Sequence, residues 1–217
     1  MIDGIRFKVC GITSLVDADF ADNCGADYLG FNFYPKSPRY LSLRQFADMA
    51  KLLPPRKRVA VCVEPTVEEL TAMKAVGFDA YQIHFRPEVG DQLIAEWSAI
   101  VGRDKLWLAP KLPAEQDVSA EWIDQAAVMM LDAFSKDKFG GTGHTSDWGK
   151  FARHREKYPQ VQWLLAGGLS PDNIGEALRA SGTRFVDVNS GVESAPGVKD
   201  LEKLKKFVVN LHRARQA

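Results

Sequence analysis

The sequence predicts an α/β protein, a single (β/α)8 TIM barrel occupying residues 1–217. Short apolar, β-rich runs recur eight times, longer helical stretches fall between them, and no interdomain linker interrupts the series. A chain of 217 residues suits one such domain, compressed relative to the roughly 250 residues typical of the architecture. A doubly wound open sheet satisfies the same alternation and stands as the architectural rival.

The strands are expected at 6–10, 27–33, 58–63, 80–84, 106–112, 127–132, 161–167 and 184–189. Most are continuous apolar runs with little strict alternation, the pattern of parallel strands covered on both faces. Between the first two, Leu15, Ala18 and Ala21 recur at helical spacing and Gly25 supplies a C-terminal stop. Thr66 and Glu69 stand at capping-box spacing and Gly77 closes that helix. Ser170-Pro171 puts a cap residue before a proline at a first helical position. At the end, Leu201, Leu204, Phe207, Val208 and Leu211 form one apolar face of a helix over 200–215, with basic residues opposite. The Pro- and Gly-bearing segments 34–40, 53–56, 140–143 and 195–197 read as short loops.

Composition narrows the function. Lys and Arg number 28, as do Asp and Glu, which excludes a broadly basic nucleic-acid binder and an acidic solvating tail. Cys10, Cys24 and Cys62 form no complete set of disulfides and lack the paired spacing of a zinc site. The first eight residues are charged and hold no apolar run of signal-peptide length. No run reaches the ~18 consecutive apolar residues of a membrane span. A cytoplasmic protein with reduced thiols is expected, with no nucleic-acid or membrane partner, as monomer or homodimer.

In a barrel, the C-terminal strand ends and the loops after them converge on one face that holds the chemistry. Cys10 ends the first run and precedes a turn into a helix, whose N-terminus would favour thiolate; a buried cysteine acting as a small hydrophobe is the plain alternative. Asp132 closes the apolar run 126–131, so the barrel mouth would desolvate it and keep it protonated; it could equally cap the next turn. The stretches 166–173 and 189–193 bring Gly167, Gly168, Ser190 and Gly191 to the loops after strands seven and eight, the usual phosphate cradle, although Gly-Gly is also ordinary turn chemistry. Arg39, between two prolines and an aromatic, could grip a carboxylate as a bidentate fork or be a solvated loop charge. Gln82 and His84 share one strand face, as site residues or as a satisfied core pair. The segment 139–144 reads as a flexible loop suited to a lid.

In order, Lys8-Val9-Cys10-Gly11-Ile12-Thr13, then 25–31 running into 33–40, Gly140–Gly143 with Asp147-Trp148, and 190–193 with 196–200 resemble the phosphoribosylanthranilate isomerases of tryptophan biosynthesis. The resemblance covers essentially the whole chain. It implies a barrel that needs no metal or organic cofactor and a phosphoribosyl small-molecule substrate rearranged by an Amadori reaction. On that resemblance, Asp132 protonates the furanose ring oxygen and Cys10, as thiolate, removes the C2′ proton. Gly168 and Ser190–Gly191 hold the phosphate, Arg39 the anthranilate carboxylate, and Asp187 a sugar hydroxyl. A bell-shaped pH profile follows, with Cys10 on the acid side and Asp132 on the basic side.

The chain departs from the family's pattern at Phe85, Ala133, Ser146, Asn189 and the stretch 107–110, expected on loops of the catalytic face. Two other readings stand beside the isomerase. One is a related barrel acting on another phosphoribosyl amine, as in the ProFAR isomerisation of histidine biosynthesis, which usually runs on two aspartates. The other is a non-catalytic barrel that binds sugar phosphates.

Overall fold

The computed structural model describes residues 1–113, 115–132 and 146–216. Within them the strands close on themselves: β1 (Arg6–Val9), β2 (Tyr28–Asn32), β3 (Lys57–Val63), β4 (Ala80–Phe85), β5 (Leu106–Pro110), β6 (Val128–Leu131), β7 (Gln162–Leu165) and β8 (Phe185–Val188) pair in chain order, all parallel. The seam joins β1 to β8 with Lys8 opposite Asp187 and Val9 opposite Val188. That pairing excludes the doubly wound alternative, which would leave two open edges.

Helices α1 (Leu15–Asn23), α2 (Leu43–Ala50), α3 (Val67–Val76), α4 (Asp91–Val101), α5 (Ala120–Gln125), α6 (Trp148–Lys157), α7 (Ile174–Ser181) and α8 (Leu201–Gln216) sheathe the barrel. Among the described residues none is long and apolar enough to cross a membrane. Ser14 caps α1 by accepting from the Asp17 N–H at 3.1 Å. Thr66 and Glu69 complete the expected capping box of α3, at 3.2 and 2.9 Å.

Helix α7 starts at Ile174, three residues beyond the Ser170-Pro171 signal. Asn173 accepts from the Ser170 N–H and donates to the Gly168 carbonyl, both at 2.8 Å, so 170–173 form a turn stitched to the glycine loop before the helix begins. A two-stranded hairpin, β9 (Glu193–Ala195) and β10 (Val198–Lys199), follows β8. The sequence shows only its turn, because three polar or small residues carry no strand signal.

The two-residue strand period sorts side chains into two cores. Outward residues pack under the helices: Phe7 stacks on Phe207 of α8 at 5.7 Å, and Phe31 meets Phe46 of α2 edge-on at 4.8 Å. Inward residues fill the lumen, including Val61, Ala109, Met130 and Ala166. Tyr28, Trp107 and Phe185 form an aromatic floor, with ring centroids 5.2–5.5 Å apart. Two residues farther along β8 the lumen turns polar at Asp187, and above that the barrel opens.

Candidate active site

A cavity of about 540 Å³ opens at the C-terminal ends of the strands. Cys10, the residue after β1, and Asp132, the residue after β6, both line it. So do Gln82 and His84 of β4 and Asp187 of β8. Arg39 enters from the loop after β2, and Gly167, Gly168 and Ser190 from those after β7 and β8. Of the residues expected in the site, Gly191 alone is not part of its wall.

Cys10 is buried at 5% exposure, and burial raises the pKa of its thiol. The neighbouring Asp187 carboxylate pushes the same way, while Lys8 and, more weakly, Lys199 oppose it. The expected help from a helix N-terminus is not what dominates. Helix α1 begins only at Leu15, with Ser14 already occupying its cap, and helix-dipole effects fade within a turn. Cys24 caps the end of α1 half-buried, and Cys62 lies in β3 with its thiol pushed up by burial; neither reaches the cavity.

Gln82 Nε2 lies 2.8 Å from His84 Nε2. With the amide donating, the imidazole accepts at Nε2 and carries its proton on Nδ1. Burial and the Lys8 ammonium push the His84 pKa down to about 4, so the ring is neutral at physiological pH. Among the described residues the buried Gln82 Oε1 atom has no hydrogen-bond partner.

Arg39 makes its bidentate grip inside the protein. Its Nε and Nη2 donate to the two Glu193 oxygens at 2.8 and 2.6 Å, and neither bond uses Nη1. Lys199 donates to Glu193 Oε1 at 2.8 Å and to Asn189 Oδ1 at 2.9 Å. Burial alone would raise the Glu193 pKa, but the bonds from Arg39 and Lys199 outweigh it and hold the carboxyl below the usual range. The network folds over Gly11, where a Cβ would stand 2.6 Å from both Arg39 Cδ and Asn189 Oδ1. Glycine also suits the φ of +72° there. The fork expected for a ligand carboxylate is therefore already engaged along one edge.

The glycines after β7 turn the chain sharply, with φ of +87° at Gly167 and +63° at Gly168. After β8 comes a 3₁₀ turn, Ser190–Val192. Gly191 sets the spacing between these loops: a Cβ on it would lie 2.0 Å from the Leu169 carbonyl oxygen. Its contribution is to let two backbones approach, rather than to face the cavity.

The departures from the family pattern divide between the barrel's open end and its packed interior. Phe85 points outward and packs edge-on against Trp97 and Trp122 at 5.9 and 5.2 Å. Trp107 belongs to the aromatic floor, and Ser146 is buried beside Gly167, whose carbonyl accepts from its N–H at 3.4 Å. Of the departures among the described residues, only Asn189 lines the cavity. Ala133 and the lid expected over 139–144 lie outside the described residues. Sequence reading missed Lys8, Glu193 and Lys199. Lys8 carried a signal, standing two residues before Cys10 on the same face of β1, whereas Glu193 and Lys199 sit on the unanticipated hairpin.

A family model described as N-(5'phosphoribosyl)anthranilate (PRA) isomerase matches residues 7–210. The N-(5'-phosphoribosyl)anthranilate isomerase of Aquifex aeolicus is 38% identical over 206 residues, spanning 94% of this chain and 97% of that protein. The phosphoribosyl anthranilate isomerase structure from Thermus thermophilus superposes with a TM-score of 0.79 at 32% identity, covering 96% of this chain and 99% of that one. A phosphoribosyl anthranilate isomerase in complex with reduced 1-(o-carboxyphenylamino)-1-deoxyribulose 5-phosphate superposes with a TM-score of 0.75 at 32% identity, covering 95% and 97%.

Proposed function

The chain belongs to the N-(5′-phosphoribosyl)anthranilate isomerase family, and from that premise we propose that Cys10 and Asp132 are the base and the acid of its reaction. The reaction is the aldose–ketose isomerisation of N-(5′-phosphoribosyl)anthranilate to 1-(2-carboxyphenylamino)-1-deoxyribulose 5-phosphate in tryptophan biosynthesis. The observation that carries the assignment is that the two residues, contributed by β1 and β6, line one cavity beside the glycine turns after β7 and β8.

The carboxyl of Asp132 gives its proton to the furanose ring oxygen while the nitrogen lone pair forms the C1′–N double bond and the ring opens. That imine acidifies the C2′ proton, which the Cys10 thiolate removes, leaving an enolamine that takes a proton at C1′, gives up its 2′-hydroxyl proton and becomes the ketone. The sequence needs an acid and a base on different sides of one carbon frame, each in its own environment. Neutral His84 and the polar head of Gln82 suit sugar hydroxyls, and so does Asp187, whose Oδ1 is taken by Lys8. The phosphate rests on the Gly168 and Ser190 backbone, where N–H groups favour an anion. Adding the protein to phosphoribosylanthranilate generated in situ is expected to abolish the substrate's fluorescence; persistent fluorescence would overturn the reading.

Arg39 meets the anthranilate carboxylate with the donors that Glu193 leaves unused. Arg39→Ala is expected to raise KM about 10–100-fold, the worth of a charge-assisted hydrogen bond, with a much smaller effect on a decarboxylated analogue. Equal effects on both compounds, measured by steady-state kinetics, would reject the role. Gly191→Ala drives a methyl group into the Leu169 carbonyl. It is expected to raise KM for the phosphorylated substrate several-fold, and inhibition by inorganic phosphate should weaken in parallel.

The pH profile of kcat/KM is expected to be bell-shaped. Burial raises the Cys10 pKa, so the thiolate fraction still grows between pH 6 and 8 and the rate is not expected to fall over that range. A rate that falls steadily from pH 6 to 8 would contradict Cys10 as the base.

A further inference from the structure

Lys8 has no role in the mechanism so far, yet it is a charged side chain with 0% exposure. A buried ammonium costs desolvation energy that only close partners offset. By the two-residue period it shares the inward face of β1 with Cys10. Across the barrel seam it stands in register with Asp187, and Nζ donates to Asp187 Oδ1 at 2.9 Å. On the other side, Gly30 of β2 leaves a hollow. A Cβ there would lie 2.9 Å from Lys8 Cε, 3.1 Å from Lys8 Nζ and 3.0 Å from Cys10 Sγ. Ammonium and thiol both border the space the missing side chain leaves.

We propose that Lys8 is a positioning residue of the acid–base site: its ammonium is shared between Asp187 and Cys10 and sets how readily Cys10 becomes the thiolate. The proposal rests on Cys10 being the base. The charged groups around the thiol are Lys8 of β1, Asp187 of β8, Lys199 of β10 and Arg39 after β2. Asp132 and neutral His84 complete the same cavity. Burial and Asp187 both hold the thiol protonated, and of the cations opposing them Lys8 acts most strongly. Lys8 keeps its own proton because, although burial works against the ammonium, Asp187 and Cys10 outweigh it. An ion pair serving packing alone would need Asp187 but not the thiol.

The two partners of the pair make opposite predictions. Alkylation of Cys10 by iodoacetamide is followed against pH by peptide mass spectrometry, so that Cys24 and Cys62 do not contribute. In Lys8→Met the midpoint is expected to rise by about one to two pH units, the influence of an opposite charge at this range. Asp187, left alone, takes up a proton, and its fading effect on Cys10 is smaller than that of the lost ammonium. The thiolate fraction at neutral pH shrinks with the raised midpoint, so activity there falls about 10–100-fold and recovers in part at higher pH. In Asp187→Asn the ammonium loses its carboxylate and the midpoint moves down. An unchanged midpoint in folded Lys8→Met overturns the proposal, whatever happens to turnover. If Lys8→Met does not fold, Lys8→Gln, which keeps a polar head beside Asp187, decides by the same midpoint: a raised value supports the proposal and an unchanged one overturns it. Failure of the base assignment looks different, as retained turnover in Cys10→Ala.

Discussion

Replacing Cys10 by alanine is expected to lower kcat by about 10²–10⁴-fold, the usual worth of a positioned general base, while the barrel stays folded. The substitution removes one sulfur atom from the cavity wall and leaves the closing register of β1 on β8 intact. Lys8 retains its bond to Asp187, so no buried charge is stranded. Steady-state fluorescence kinetics measure the loss, and a circular dichroism melt shows whether stability changed. Cys10→Ser is expected to be nearly as slow, because a hydroxyl ionises far less readily than a thiol. Near-normal turnover in the alanine variant would remove Cys10 from the mechanism.

Asp132→Asn is expected to cost kcat a similar factor of about 10²–10⁴, since the amide keeps the shape of the side chain but has no acidic proton for the ring oxygen. KM should change little, which separates loss of the acid from loss of binding. Each group serves a step that the other cannot replace, so the double variant is expected to fall far short of the product of the single losses. A variant that lost affinity but kept kcat would make Asp132 a binding residue.

Much of the frame was legible in the sequence. Eight apolar runs located eight strands to within a residue or two at most ends, because parallel strands buried on both faces need continuous apolar side chains. Thr66 with Glu69 announced a helix start through local hydrogen bonds, which sequence spacing encodes. Arg39 pairing with Glu193 was not legible: the partners are 154 residues apart and meet only because a hairpin folds over the mouth. The same holds for the ionisation of Cys10. A helix three residues downstream of the Gly11 turn suggested a thiol tuned by a dipole, whereas its surroundings come from β1, β2 and β8 closing around it. Phe85 made a related point. Its place after His84 suggested the mouth, but the strand period turns it outward to the helices.

The most direct test is a crystal structure of this protein with reduced 1-(o-carboxyphenylamino)-1-deoxyribulose 5-phosphate in the cavity. Cys10 Sγ is expected about 3–3.5 Å from C2′, in near-attack geometry, with the Asp132 carboxyl beside the oxygen that came from the furanose ring and the phosphate on the Gly168 and Ser190 backbone. A sugar chain bound with C2′ turned away from Cys10, or with Asp132 on the aromatic ring instead of the sugar, would contradict the assignment.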